Sequence, residues 1–466
     1  MSRLVIISNR VSVPTVDTGG AQGGLAIALS AALRESNGIW FGWSGEETGQ
    51  FSGHINFQRH NGVATATVDL EAQDIDEYYN GYANRTLWPL FHYRVDLAEF
   101  ERGFAGGYQR VNARFADTVV PLIDADDLVW VNDYHMIPLG EKLRERGCLN
   151  RMGFFLHIPW PPMPLLLSLP SHRELVQSLF SYDVVGFQTQ DSLEAFRDYA
   201  RAQLGAEVRN DDSVIHEGRT IRVIACPIGI DAAAFRASAE SEPAREICRR
   251  MRVSANGRTM IIGVDRLDYS KGLQERFLGY ERFLAANPDK HGAVFLLQIA
   301  PPSRGEVQSY QEIRAQLDAL SGRINGEFAD AEWVPIRYVN KGHPREQLAG
   351  MFRAARIGLV TPLRDGMNLV AKEYVAAQDA EDPGVLILSR FAGAAEQLVD
   401  ALLVNPHSPE DMADAIATAL AMPLAERRAR WRPMMDNIER EDVIWWRLRF
   451  TDALAAATPH TNGHEA

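Results

Sequence analysis

The sequence predicts an α/β protein built from two domains of parallel sheet. Three observations carry that expectation. Short apolar runs of strand length alternate with longer amphipathic segments along most of the chain. Most of these runs are β-branched and apolar on both faces, as strands buried between two helical layers are. A polar, Ala/Glu/Arg-rich stretch at about 231–257 separates two series of them and reads as a linker plus one helix. The 466 residues also exceed the usual single domain of about 100–200. The expected organisation is one domain over 1–231 and a second over 232–440. A terminal helix over about 441–456, rich in Trp and Phe, is expected to pack back on the first domain, ahead of a disordered polar tail at 458–466.

In the first series the strands are expected at Leu4 to Ser8, Ile39 to Trp43, Val63 to Leu70, Leu128 to Asn132, Met152 to His157, Val184 to Gln188 and Arg222 to Pro227. In open α/β sheets ligands sit beyond the carboxyl ends of the strands, so the residues there matter most. The first strand runs into Asn9-Arg10, and Gly19-Gly20-Ala21-Gln22-Gly23-Gly24 then opens an Ala/Leu helix. Glycines at a helix start let free N–H groups approach a phosphate. The spacing matches neither GxGxxG nor GxxxxGK[ST], so neither NAD nor Walker-type ATP binding is supported. Asp133 follows the fourth strand and His157 ends the fifth, a carboxylate and an imidazole suited to sugar hydroxyls. Tyr78, Tyr79, Tyr82, Trp88, Phe91 and Tyr93 read as core aromatics or as a wall against a sugar ring.

The second series comprises Met260 to Val264, Ala293 to Ile299, Ile336 to Val339, Ile357 to Thr361, Val385 to Leu388 and Leu402 to Val404. Its first strand enters Asp265-Arg266-Leu267-Asp268-Tyr269-Ser270-Lys271-Gly272. Arg266 and Lys271 bracket this loop, so two cations and a helix start can converge on one diphosphate. The alternative is that Arg and Asp pair at the surface. Arg304 follows the second strand and suits phosphate neutralisation, or is simply solvated. The fourth strand enters Pro362-Leu363-Arg364-Asp365-Gly366-Met367-Asn368-Leu369. Glu373 lies one turn beyond Leu369, about 6 Å along the helix axis, where an acid accepts hydrogen bonds from ribose. Asp365 is either a sugar-hydroxyl acceptor or the helix N-cap.

Composition narrows the function classes. With 48 Lys+Arg against 61 Asp+Glu the formal charge is −13, which argues against a general nucleic-acid or anionic-membrane partner. Three cysteines without zinc-type spacing fit a reducing compartment rather than a disulfide framework, and no structural metal is expected. No apolar run approaches the ~18 residues of a membrane helix, and the N-terminus lacks a signal-peptide pattern. A cytoplasmic protein is expected.

The strings SNR, GG before the first helix, WFGWSG, DEYYNGY, LWPLFHYR, NDYH, FFLHIPWP, GFQT, PIGI, DRLDYSKGL, QIAPPSRG and TPLRDGMNLVAKEYVAAQ run in order from Arg3 to about Pro406. Together they closely resemble the trehalose-6-phosphate synthases. The resemblance implies a GT-B fold, two Rossmann-like domains facing across a cleft, and transfer of glucose from UDP-glucose to glucose 6-phosphate with retention of configuration, by front-face attack without a protein nucleophile. It implies that Gly23 and Gly24 contact the donor, that Arg266 and Lys271 bind its diphosphate, and that Asp365 holds the transferred glucose. Leu369, Val370, Ala371, Lys372 and Glu373 would hold the phosphate-ribose end, and His343 stands in the segment that takes the place of the base contacts. Arg10 and Arg304 would clamp the acceptor phosphate, Tyr79, Trp88 and Asp133 would line its sugar, and His157 would lie beside the reacting centre. Trp88 and Ile158 match positions linked to anomer selectivity. The implied assembly is a homodimer or homotetramer, with no metal or other cofactor.

Two departures stand out. Asn132 replaces the first histidine of the family's usual HDYH, leaving Asp133 in place. Lys341-Gly342-His343-Pro344 differs from the family's base-contacting segment, which leaves the choice of UDP over GDP or ADP open. Glucosylglycerol-phosphate synthases share many of the strings with another acceptor, and a non-catalytic sugar-phosphate sensor is the alternative of a different class.

Overall fold

The computed structural model describes residues 3–11, 33, 36–60, 63–302 and 308–458. Its described residues up to Ile228, with those from Trp445 onward, form one compact unit, and Gly229–Ile444 form the other.

The first unit is built on a ten-stranded sheet. Its strands are β1 Leu4–Arg10, β2 Ile39–Thr48, β3 Asn56–His60, β4 Val63–Glu71, β5 Leu128–Asn132, β6 Met152–Phe155, β7 Val184–Phe187, β8 Glu207–Val208, β9 Ser213–His216 and β10 Arg219–Ala225. They lie in the order β3-β4-β2-β1-β5-β6-β7-β10-β9-β8. The pairs from β4 through to β10 are parallel, and antiparallel β3 and the β8/β9 pair cover the two ends. The chain order reverses between β1 and β5, so the carboxyl ends of these two strands flank the switch point where such sheets bind ligands. The seven expected strands are all present, while three short strands fall outside the apolar pattern: β3 and β8 are largely exposed, and β9 has only four residues, half of them buried.

The second unit carries six parallel strands, β11 Thr259–Val264, β12 Val294–Ile299, β13 Ile336–Val339, β14 Ile357–Val360, β15 Val385–Ser389 and β16 Leu402–Val404. Their order is β13-β12-β11-β14-β15-β16, the doubly wound order with its switch point between β11 and β14. β11, β12, β14 and β15 are buried almost throughout, as the two-sided apolar runs require. The expectation of one helix before β11 is corrected to two, Ala232–Glu240 and Glu242–Ala255. Ser241 separates them, capping the second through its hydroxyl ahead of Pro243 at a first-turn position that suits proline.

The segment carrying the aromatic cluster is a π-helix, Ile75–Leu87, whose end is marked by the Trp88 N–H reaching back five residues to the Ala83 carbonyl. Such helices are rare and concentrate at functional sites. Tyr78 and Tyr82 from it pack against Tyr108 of the helix Arg102–Val119, with ring centres 6.0 and 4.4 Å apart. The last helix, Val443–Ala455, places Trp446 and Phe450 on Trp130 of β5 at 5.0 and 4.6 Å and on Phe155 of β6 at 5.2 and 5.5 Å. Burying two large aromatics in this way contributes roughly 1.5–3 kcal/mol each. Residues 459–466 of the expected tail lie outside the described residues. Among the described residues no helix is long and apolar enough to cross a membrane.

Candidate active site

Each sheet brings sequence-predicted residues together at its own switch point. In the first unit Arg10 ends β1, and its guanidinium lies 5.7 Å from the Trp43 ring. Gly45, at φ +95, makes that placement possible, because a Cβ there would overlap the guanidinium. The Trp43 ring meets Tyr79 at 5.5 Å, Tyr79 stacks on His135 at 5.9 Å, and Trp88 meets Tyr134 at 5.7 Å. Arg10, Tyr79, Trp88 and the Asp133-Tyr134-His135 turn are thereby linked through successive ring contacts.

That turn is held from several sides. Tyr108 OH donates to the Tyr134 carbonyl at 2.6 Å and the Asn112 amide to the His135 carbonyl at 3.1 Å. Tyr134 OH donates to Asn84 Oδ1 at 3.0 Å, and Tyr78 OH donates to Asn9 Oδ1 at 2.8 Å. Asp133 has φ +75 and ψ 166, a region otherwise almost confined to glycine and costing about 1–3 kcal/mol. Its N–H donates to the Phe155 carbonyl at 2.8 Å. Its Oδ1 accepts from the N–H of Tyr134 at 3.0 Å and of His157 at 3.2 Å. Asp133 and His157 are thus locked together by backbone geometry, with Ile158 buried beside them.

His157 uses both ring nitrogens inside the protein, with Nε2 3.1 Å from Asn132 Oδ1 and Nδ1 3.2 Å from Gln188 Nε2. Desolvation pushes its pKa down to about 3, so the ring is neutral at physiological pH.

In the second unit β11 leads into Asp265 and exposed Arg266. A tight turn at Tyr269–Lys271 ends on Gly272, at φ +63, where a Cβ would overlap the Thr361 carbonyl beyond β14. That close approach brings Lys271 to the end of β14, where its Nζ lies 2.5 Å from Asp365 Oδ2. The same oxygen accepts from Asn368 Nδ2 at 3.1 Å. The helix Leu369–Ala377 is capped by Asn368, not by Asp365: the Asn368 side chain accepts from the Ala371 N–H. Asp365 therefore faces Lys271 at the mouth of this helix, and the capping role expected of it as an alternative is corrected.

Asp265, the acid closest to Arg266 in sequence, pairs not at the surface but with fully buried Arg276, Nη1 to Oδ2 2.7 Å. Arg276 also donates to Gln298 Oε1 at 2.9 Å and to Thr361 Oγ1 at 3.0 Å. One guanidinium therefore ties together the ends of β11, β12 and β14. The sequence signal for it was available: Arg276 sits on the apolar stripe of Leu273, Phe277, Tyr280 and Leu284, where a solvated arginine does not belong.

Lys372 is buried and donates to Gln397 Oε1 at 2.7 Å, while Gln397 Nε2 donates to Glu441 Oε2 at 2.6 Å. Desolvation lowers the Lys372 pKa to about 7, opposed by Glu441. Glu373 keeps some surface access, yet its carboxyl lies deep, and desolvation raises it to about 7, opposed by Arg345. Below pH 7 and above the ordinary carboxyl range, the folded chain keeps a proton on Glu373 that the unfolded chain has lost, so stability falls as pH rises. Between pH 7 and the ordinary lysine range the unfolded chain binds a proton at Lys372 that the folded chain does not, so stability rises with pH. Denaturation midpoints followed against pH are expected to lose the falling limb in Glu373→Gln and the rising limb in Lys372→Met. Unchanged limbs in both variants would refute these assignments.

His343 lies beyond β13, the edge strand, with its Nδ1 3.1 Å from Gln347 Oε1. The sheet order sets it two strands from the β11/β14 pair, although Arg345 in the following helix bears electrostatically on Glu373. Gly23, Gly24 and Arg304 lie outside the described residues. Among the described residues no group of three or more His, Cys, Asp or Glu side chains is placed to hold a metal ion.

The family model for Glycosyltransferase family 20 matches residues 4–456. A trehalose-6-phosphate synthase of Sinorhizobium fredii is 49% identical over 462 residues, covering 98% of this chain and 99% of the relative. The alpha,alpha-trehalose-phosphate synthase (UDP-forming) of Burkholderia xenovorans, in complex with glucose-6-phosphate, is 48% identical with a TM-score of 0.93, covering 97% of this chain and 100% of that one. An E. coli trehalose-6-phosphate protein bound with UDP-2-fluoro glucose is 44% identical with a TM-score of 0.94, covering 98% and 100%.

Proposed function

Because the chain belongs to glycosyltransferase family 20, we propose that it transfers glucose from UDP-glucose to glucose 6-phosphate, giving α,α-trehalose 6-phosphate and UDP. The observation that carries this reading is that relatives of nearly full-length similarity hold a UDP-glucose analogue in one case and glucose-6-phosphate in the other. The first unit takes the acceptor, with Arg10 and Arg304 on its phosphate and Tyr79, Trp88 and Asp133 along its sugar. Trp88 and Ile158 bear on anomer selectivity. The second unit takes the donor. Arg266 and Lys271 meet the diphosphate, Asp365 the glucose, and the start of the helix Leu369–Ala377 with Glu373 the phosphate-ribose end. Gly23 and Gly24 complete the donor contacts, with His343 towards the base.

The chemistry needs no protein nucleophile. The bond from the glucose anomeric carbon to the diphosphate oxygen breaks while the acceptor hydroxyl bonds to the same face of that carbon. The hydroxyl proton passes to the departing diphosphate oxygen. Arg266 and Lys271 stabilise the negative charge that grows there, the kind of preorganised electrostatics that dominates many enzymes. His157 is not available as the base, since both its ring nitrogens are engaged. Both substrates are anions, so a chain of net charge −13 must reverse sign locally, and Arg10, Arg266 and Lys271 supply that reversal.

The test is UDP release from UDP-glucose by the purified protein. Release is expected only when glucose 6-phosphate is added. Turnover with glycerol 3-phosphate and none with glucose 6-phosphate would overturn the acceptor assignment.

A further inference from the structure

We propose that Gln188 is a positioning residue that holds His157 as the neutral imidazole protonated on Nε2, so that the ring serves the site as a fixed, non-titrating wall. The assignment follows from which partners can only donate and which can only accept. The Ile228 backbone N–H, 2.9 Å from Gln188 Oε1, can only donate, so the amide oxygen must face it. The amide nitrogen of Gln188 is then the atom 3.2 Å from His157 Nδ1, and Nδ1 must present its lone pair.

The other ring nitrogen gives the same answer independently. The Trp130 carbonyl, 3.3 Å from Asn132 Nδ2, can only accept, so the amide nitrogen of Asn132 must face it. Asn132 Oδ1 therefore faces His157 Nε2 at 3.1 Å, and Nε2 must carry the proton. A second proton on Nδ1 would point at the two N–H bonds of Gln188, a repulsive contact inside the protein. Asn132 and Gln188 are 0% and 2% exposed, so water cannot readily rearrange the pattern.

The imidazole is flanked by the rings of Phe155 at 4.8 Å and Trp446 at 5.9 Å. The carboxylate in contact with the residue is Asp133, which meets its backbone N–H. Tautomer, ring orientation and the Asp133 contact are thus fixed as one unit at the ends of β5, β6 and β7. Gln188 is the member furthest from Asp133 in this chain of contacts, and it acts only through His157.

The inference that this geometry serves turnover rests on the transferase reading above, but the tautomer can be measured without it. The experiment uses the full-length protein with 15N-labelled histidine and long-range 1H–15N spectra, the His157 signals being identified by their loss in His157→Phe. The expected result is an unprotonated Nδ1, a protonated Nε2 and no titration between about pH 5 and 8, against an ordinary histidine near 6.5. A protonated Nδ1, or titration in that window, would overturn the proposal, and this measurement needs no variant at position 188.

Gln188→Glu keeps an oxygen for the Ile228 N–H but sets an acceptor against Nδ1. His157 is then expected to carry a proton on Nδ1 and to titrate within the measured window. With UDP-glucose and glucose 6-phosphate, kcat is expected to fall on the order of tenfold to a hundredfold, as when a reacting geometry is displaced. The KM for UDP-glucose is expected to hold, and the pH profile of kcat to gain an ionisation absent from the parent. An unchanged tautomer in Gln188→Glu would sink the proposal. The expected spectra in a protein without transferase activity would instead count against the transferase reading and leave the tautomer lock standing.

Discussion

Replacing Lys271 with alanine is expected to lower kcat by about 10²–10³-fold, the loss seen when one preorganised donor to a developing negative charge is removed. The argument starts from the turn at Tyr269–Lys271 and Gly272, which delivers an ammonium to the switch point of the second sheet. There Nζ rests 2.5 Å from Asp365 Oδ2, so the cation is already oriented for the diphosphate contact proposed for it. Asp365, which loses its ammonium partner in the variant, is expected to keep its Asn368 contact, 3.1 Å in the parent. The KM for UDP-glucose is expected to rise and that for glucose 6-phosphate to stay near its parent value. Lys271→Arg should recover part of kcat, since it restores charge with different geometry. Steady-state kinetics with each substrate varied in turn checks this. Equal weakening of both substrates with kcat intact would contradict the placement of Lys271 on the donor side.

The second large effect is on stability. Arg276→Met is expected to destabilise the protein by about 3–5 kcal/mol, because removing one partner of a buried ion pair leaves the other charge without compensation. Arg276 and Asp265 are 0% and 2% exposed as side chains, and Gln298 Oε1 and Thr361 Oγ1 lose a donor in the same step. Burial already pushes the Asp265 carboxyl up, against the pull of Arg276 and then Lys271. Without Arg276 it is expected to take a proton. Adding Asp265→Leu to Arg276→Met should recover much of the lost stability, as replacement of a whole buried pair by apolar groups does. Chemical denaturation of the parent and both variants tests this. A loss below about 1 kcal/mol, the size of an exposed pair, would show that the pair is not buried in solution.

Much of the architecture was legible because burying a parallel strand on both faces leaves a run such as Val129-Trp130-Val131 or Ile261-Ile262-Gly263-Val264 with no polar alternation to obscure it. β3 and β8 are not legible, since an exposed antiparallel edge strand needs neither face apolar, and β9, paired on both sides, is too short at four residues to show an alternation. The two helices before β11 read as one in the sequence because a single residue, Ser241, ends the first and caps the second within a continuous helix-forming composition. The π-helix was invisible for a different reason: its aromatics fit a helical stripe as well as a core, and a five-residue hydrogen-bond period leaves no mark on composition. At the site, the residues following strands emerged from topology, whereas the residues that hold them did not. Nothing local in GFQT distinguishes Gln188 from a surface glutamine, and Asp365 and Asn368 are equally good N-cap types. Which amide faces which carbonyl is decided by contacts distant in sequence, such as Gln188 with the Ile228 N–H.

The backbone at Asp133 bears on how such a site can change over generations. At φ +75 and ψ 166 only glycine would rest at ease, and glycine has no carboxylate to receive the N–H groups of Tyr134 and His157. The strain and the contacts are therefore inherited together: a mutation that relieves one forfeits the other. The rings contributed by Ile75–Leu87 are not tied to a strained backbone position, and a change at one costs its local packing and, at Tyr78, the hydrogen bond to Asn9. Substitution is thus expected to be tolerated more readily among these rings than at position 133.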